Sequence, residues 1–348
     1  MTDLDDRIAS VLRERAEGDI DTDRLLSRSR ARGRRRQVRR RAATGMALAL
    51  VGVLGLATMT APGLPGLPGR LPWTTATPAI VNPVPPRAGG VPGAAQQPEL
   101  VGTDPQVLHL GVDPAKGRYL GWQVVGDGVE TLRIGPPGGR PVTIDVASTA
   151  AAVDGLAIDG LSIDAPRGGA FDGKVWQLGS NPGGLVMLWQ PAPGVYARAA
   201  MPGRDRAALA RAVKALKWDE ARRCGGPLRL TALPAGARIA GCRVDVSSFP
   251  GTMDVVVTLY RGTSDMMSVR LQYNAGITGA RSDSNRTIGG RPAYLYPDGM
   301  GLELLGLPKA HLIAEFGSPW KGFTEADATT VLAGAKVAKD LTDPETWK

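Results

Sequence analysis

Apolar and polar side chains alternate strictly between residues 142 and 146: Val142, Ile144 and Val146 against Thr143 and Asp145. The same period governs 267–274, where Met267, Val269, Leu271 and Tyr273 alternate with Ser268, Arg270, Gln272 and Asn274. A period of two turns one set of side chains to a core and the other to water, which predicts antiparallel strands. Val255–Tyr260 is more continuously apolar and is expected near the middle of a sheet. The period changes to a helical one in two places. Leu209, Ala212, Val213 and Leu216 form one apolar stripe, and Ala328, Val331, Leu332 and Ala335 form another, with Thr324 and Asp327 spaced for a cap.

These elements recur in the same order. "LHLGVDPAKGRYLGWQV" (108–124) and "LRLTALPAGARIAGCRV" (228–244) share seven of 17 positions without a gap, Gly121/Gly241 among them. "FDGKVWQL" (171–178) parallels "IGGRPAYL" (288–295), and strand-like and then helical stretches follow each. The expectation is an α+β chain with two tandem repeats, 105–221 and 225–348, each an antiparallel sheet with a C-terminal helix. Strand-rich units with a late helix are similar, at the level of fold, to extracytoplasmic lipoprotein-carrier and stress-sensor domains.

Upstream the pattern is different. Ala42 to Ala61 holds 20 residues with no ionisable side chain, and as a helix it would span about 30 Å, the thickness of a bilayer's hydrocarbon core. A soluble core helix would carry a polar stripe, and this run has none. Nine arginines and no acid lie in 28–41, with Arg34, Arg35, Arg36, Arg39, Arg40 and Arg41 closest to the apolar run. The positive-inside rule makes these the membrane-orienting residues: the N-terminus is cytoplasmic and the chain after Pro62 is outside. Two other readings stand beside this one. A cleaved signal peptide would need a basic region of 41 residues, and its best small-residue site runs into Pro62. A nucleic-acid arm explains the arginines but not the uncharged 20-mer touching them.

In the tail, Leu4, Ile8, Val11 and Leu12 form a helical stripe, and Leu25 and Leu26 belong to a second short helix. Residues 1–41 are thus a basic cytoplasmic tail that lies on the lipid bilayer or docks a cytoplasmic protein partner through residues 4–26. From Pro62 to Pro98 there are ten Pro and six Gly in 37 residues, which predicts a disordered, semi-extended stalk over 62–104. A start such as "LDDRIASVLRERAEG", followed by an arginine run, one membrane helix, a Pro-rich spacer and an outer domain, resembles a broad group of single-pass membrane proteins of high-GC Gram-positive bacteria. That resemblance is architectural and covers residues 1–100. Some members of the group are anti-sigma-type regulators, which implies a signalling alternative for the tail.

Charge narrows the function classes. Of the net +9, residues 1–41 hold +5, from 13 Arg against eight acids. The remaining 307 residues hold +4, so no basic domain surface is indicated and no nucleic-acid partner is expected. The two cysteines, Cys224 and Cys242, fall outside the membrane in this topology, where an even count favours a disulfide. If Pro234–Ala237 is a tight turn, Cys224 overshoots the position opposite Cys242, and the chain must fold back to close the bond.

Catalytic signals are sparse. His109 and His311 sit in strand-like segments, neither beside an acid and a nucleophile in a known spacing. "SPWK" (318–321) matches the Ser-x-x-Lys of penicillin-interacting serine enzymes and "SDSN" (282–285) faintly resembles their second motif, in reversed order and without the third. Asp154, Asp159 and Asp164 recur every five residues without a ligand-rich loop, so no metal and no cofactor is expected. Trp122, Trp176 and Trp189 are candidates to line a ligand groove on an open sheet face. The functional expectation is a single-pass cell-membrane protein, not an enzyme, that displays a duplicated extracytoplasmic binding or sensing module for an unidentified ligand. The alternatives are an anti-sigma-like transmembrane regulator and an extracytoplasmic hydrolase.

Overall fold

The computed structural model describes residues 82–126, 128–153, 170–179, 183–277, 281–317 and 322–347. The expected cytoplasmic tail, the orienting arginines and the apolar run Ala42–Ala61 lie outside those residues. Among the described residues, no helix is long and apolar enough to cross a membrane.

Nineteen strands are described. Those before residue 148 are β1 (Val107–Leu108), β2 (Gly111–Val112), β3 (Arg118–Val125), β4 (Val129–Gly135) and β5 (Val142–Ala147). Then come β6 (Asp172–Leu178), β7 (Gly184–Ala192), β8 (Val195–Pro202), β9 (Leu216–Lys217) and β10 (Arg222–Arg223). They continue with β11 (Leu228–Leu230), β12 (Ala237–Asp245), β13 (Thr252–Arg261) and β14 (Asp265–Asn274). The last are β15 (Arg286–Ile288), β16 (Arg291–Leu295), β17 (Gly301–Leu304), β18 (Ala310–Glu315) and β19 (Ala335–Val337). Thirteen of them form one antiparallel sheet in the order β15-β16-β17-β18-β14-β13-β12-β3-β4-β5-β8-β7-β6. Three two-stranded ribbons, β1–β10, β2–β9 and β11–β19, complete the strand pairing.

This corrects the expected architecture. Two tandem α+β repeats, each with its own sheet, are not what forms. The two similar stretches end in β3 and β12, and these strands hydrogen-bond to each other with Trp122 opposite Val244 and Gly121 opposite Asp245. Strands paired in this way belong to one sheet. Glycine has a definite role at the junction. A Cβ on Gly121 would stand 2.8 Å from the carbonyl oxygen of Val244, and one on Gly241 would stand 3.3 Å from that of Val124. Register shifts fall just before each of these glycines, between Tyr119 and Gly121 in β3 and between Ile239 and Gly241 in β12. Such irregularities bend a strand and raise its twist.

The alternation appears where the sequence places it. Val142, Ile144 and Val146 are buried in β5, and Met267, Val269, Leu271 and Tyr273 in β14. Val255, Val257 and Leu259 are buried in β13, which is sixth of the 13 strands. One face of the sheet is therefore apolar. The helix Arg206–Lys214 covers it at β5 and β8, and the helix Glu325–Ala333 covers it at β17 and β18. The first buries Ala208, Leu209 and Ala212 and is capped by Asp205, which accepts from the Ala208 N–H at 2.9 Å. The second buries Ala328, Val331 and Leu332 and carries a full capping box between Thr324 and Asp327. Fully burying a leucine such as Leu209 contributes about 1.5–3 kcal/mol. Leu216 and Ala335, read as helical, instead start β9 and β19 just past the helix ends.

The C-terminal part of the Pro-rich spacer is folded onto this unit. Ala88 donates to Ala221 O, Pro86 O accepts from Arg223, and Ala94 donates to His109 O. Ala94 and Val101 are buried in the core. Proline tolerates this position because it flanks the ribbons and donates no bond to the main sheet.

Candidate functional site

Over its middle strands the face away from the helices Arg206–Lys214 and Glu325–Ala333 is polar, and the period of two determines which residues it carries; toward β8 a short helix, Ala150–Val153, covers it, with Val153 packed against Val129 and Ala147. Pairing across the sheet lines up Thr143, Arg133, Gly121, Asp245, Asp254, Gln272 and His311 in one row. The adjacent row carries Arg198, Asp145, Thr131, Gln123, Arg243, Val256 and Arg270. A cleft of about 410 Å³ opens where β3 meets β12, because Gly121 offers no side chain to fill it. A second cleft of about 340 Å³ continues toward His311 and shares Asp245 and Asp254 with the first.

Every carboxylate on these two rows is held by arginine. Asp145 receives two bonds from Arg198, Nε at 3.0 Å and Nη2 at 2.7 Å, while the Thr131 hydroxyl donates to its other oxygen at 2.8 Å. Both members of this pair are buried. Asp254 accepts from Arg270 Nε at 2.7 Å and Nη2 at 3.2 Å, which holds the guanidinium above its usual range. Asp245 accepts from Arg133 at 3.0 Å and from the Ser247 N–H and hydroxyl at 2.9 and 2.6 Å. Burial pushes the Asp245 carboxyl up, but these donors outweigh it and leave the group below the usual carboxylate range. Arg243 is the exception. Its side chain is 59% exposed and, among the described residues, its one ion pair is with Asp254 at 3.9 Å, where Arg270 is already bound. Along these stretches four arginines face three aspartates, and Arg243 is the arginine without a close carboxylate of its own.

The two histidines are far apart in the fold, and each is tied to a glutamate. Glu130 lies on the apolar face of β4 and is fully buried. It accepts from the N–H groups of His109 at 2.6 Å and Gly102 at 2.9 Å, and it meets His109 Nδ1 at 2.6 Å. This cluster fixes the 102–109 loop to the sheet. His311 lies on the polar face with Nδ1 2.6 Å from Glu303, whose other oxygen accepts from the Tyr296 hydroxyl at 2.8 Å. Burial, with that bond to Glu303, pushes the Tyr296 hydroxyl up to about 12. Arg281 stacks over Tyr294, 3.8 Å from the ring centre. Asn285, from the "SDSN" stretch, bonds Leu295 backbone with both ends of its amide, which is a structural use.

The three tryptophans are not brought together. Trp122 is buried on the apolar face at the junction and donates to Cys224 O at 2.6 Å. Trp189 packs edge-on against Trp218 at 6.3 Å, and Trp176 is 41% exposed on the edge strand β6. Four strand spacings separate β3 from β7, about 19 Å. Cys224 and Cys242 are disulfide-bonded, with Cα atoms 6.0 Å apart. Asp154, Asp159, Asp164 and the "SPWK" stretch lie outside the described residues. Among the described residues, no cluster of three or more His, Cys, Asp or Glu is arranged to hold a metal. Sequence reasoning missed the polar rows themselves. Their signal was present in Thr143, Asp145, Arg270 and Gln272, the polar partners in the alternation.

No protein-family model matches the chain, and no curated protein matches it. Among solved structures, the chain is similar to "Crystal structure of MucB in complex with MucA(peri)", at 11% identity and a TM-score of 0.21, covering 67% of this chain and 92% of that one. Likeness at this level transfers neither fold nor partner.

Proposed function

We propose that the chain is a single-pass membrane protein whose folded unit is displayed outside as a binding or sensing module, with the polar sheet face as its ligand surface. The observation that carries the reading is the cleft of about 410 Å³ over the β3–β12 junction. Its volume is in the range of small-molecule or side-chain-sized sites. Its carboxylates are all engaged with arginines, an arrangement suited to recognising polar groups rather than transferring protons. In this reading the chain is not an enzyme. The Cys224–Cys242 disulfide supports an oxidising compartment. The arginines of 28–41 beside the uncharged Ala42–Ala61 support one crossing with the N-terminus inside.

The test is a C-terminal fusion, through a flexible linker, to a phosphatase that is active only outside the cytoplasm. The reading expects an active reporter on intact cells. A full-length fusion that is made in the cell but whose phosphatase is inactive would overturn it.

A further inference from the structure

A separate cavity of about 200 Å³ lies beside the disulfide, on the side away from the polar face, and its lining includes Arg223, Arg229, Gly225, Gly226, Leu230 and Ile239. Its charges are unusual for this chain. Arg229 in β11 stands directly opposite Lys336 in β19, and like charges placed directly opposite on a ribbon repel. Arg223 lines the same cavity, and its Nε is enclosed by protein without a hydrogen-bond partner. Among the described residues, none of these three cations forms an ion pair. Burial, and then the charge of Arg229, hold the Arg223 guanidinium below its usual range. A buried donor left unmade is costly, and the Arg223 Nε is such a donor, while Arg229 and Lys336 beside it are exposed.

The backbone adds donors of the same kind. Gly225 and Gly226 form a turn, Gly226 at φ +54, and among the described residues their N–H groups donate to nothing in the chain. Successive N–H groups in a turn make a concavity that holds anions. Leu230 and Ile239 supply an apolar wall to the same space. We propose that this cavity is a binding site for a small oxyanion, a phosphate monoester or carboxylate, bearing a short apolar substituent. The anion lies between Arg223 and Arg229, with Lys336 closing the outer side, and the substituent lies along Leu230 and Ile239. This site does not depend on the polar face being a ligand surface.

The experiment is calorimetric titration of the full chain, held in phosphatidylcholine nanodiscs, with hexyl phosphate. Inorganic phosphate and hexanol are the two component probes, and empty nanodiscs are the blank. One hexyl phosphate should bind per chain, at least tenfold more tightly than either component, and more weakly as salt rises. Arg229→Gln should weaken it tenfold or more. The same variant without ligand should melt no lower than wild type, because a repulsion is removed. That melt shows whether a loss of binding reflects a loss of fold. No saturable binding of hexyl phosphate, binding of hexanol as tight as hexyl phosphate, or binding that Arg229→Gln leaves unchanged would each overturn the site.

Discussion

Arg198→Met is expected to lower the unfolding free energy by about 3–5 kcal/mol, read as a fall in the urea midpoint. The pair it breaks is buried on both sides, and Asp145 depends on Arg198 for two charge-assisted bonds. Removing one partner leaves the other's charge largely buried at the floor of the cleft with its bonds unmade, which is why the cost exceeds that of a surface ion pair. Asp145→Leu should cost a similar amount. The two changes together should cost much less than their sum, because an apolar pair of similar volume leaves no buried charge to compensate. Thr131 would then keep a hydroxyl with one partner fewer. A double variant whose loss equals the sum of the single losses would show that the pair does not act as a buried unit.

The second large effect concerns the bond between Cys224 and Cys242. Replacing both cysteines by alanine is expected to lower stability by about 3 kcal/mol, the chain-entropy value for a loop of this length. The sequence separation is 18 residues. The bond also fixes the turn that presents Cys224 O to the Trp122 indole N–H at 2.6 Å. The double variant should therefore change the tryptophan fluorescence of the folded state, and wild type treated with reductant should reproduce both the stability loss and that change. Equal urea midpoints for wild type with and without reductant would contradict this account.

What was legible in the sequence was local. The alternations in Val142–Val146 and Met267–Tyr273 revealed their strands and their buried faces, because one face of each packs in a core. Thr324 and Asp327 revealed a helix start, because the cap uses residues three apart in the chain. Which strand lies beside which was not legible. β3 and β12 each read as a leading strand of its own unit, and nothing in a period of two names a neighbour more than 100 residues away. The disulfide was expected from compartment and count, while the path that closes it was not visible. β11 does not run on into the hairpin with β12; it pairs with β19, and β10 pairs with β1, which brings Cys224 alongside. The Pro-rich stretch near 86–101 was read as a free stalk because proline weakens regular structure, yet its carbonyls and remaining N–H groups still bond to 109 and 221–223. The polar rows of the site were visible only as residues facing water. Their meaning came from the register, which gathers Arg133, Arg243, Asp245 and Asp254 from three strands around one cleft.

The account rests on the two sequence halves meeting in one sheet, with a reachable polar face at the join. Gln123 and Arg243 are directly opposite each other there, one on β3 and one on β12. Cβ atoms of residues so placed stand about 4.5–5.5 Å apart. The decisive measurement is a short bis-thiosulfonate bridge between the introduced thiols of a Gln123→Cys, Arg243→Cys variant, located by peptide mapping. The account predicts that the native protein is bridged within one chain, between those two residues, with Cys224–Cys242 intact. Native protein in which both introduced thiols react but remain unbridged would contradict it.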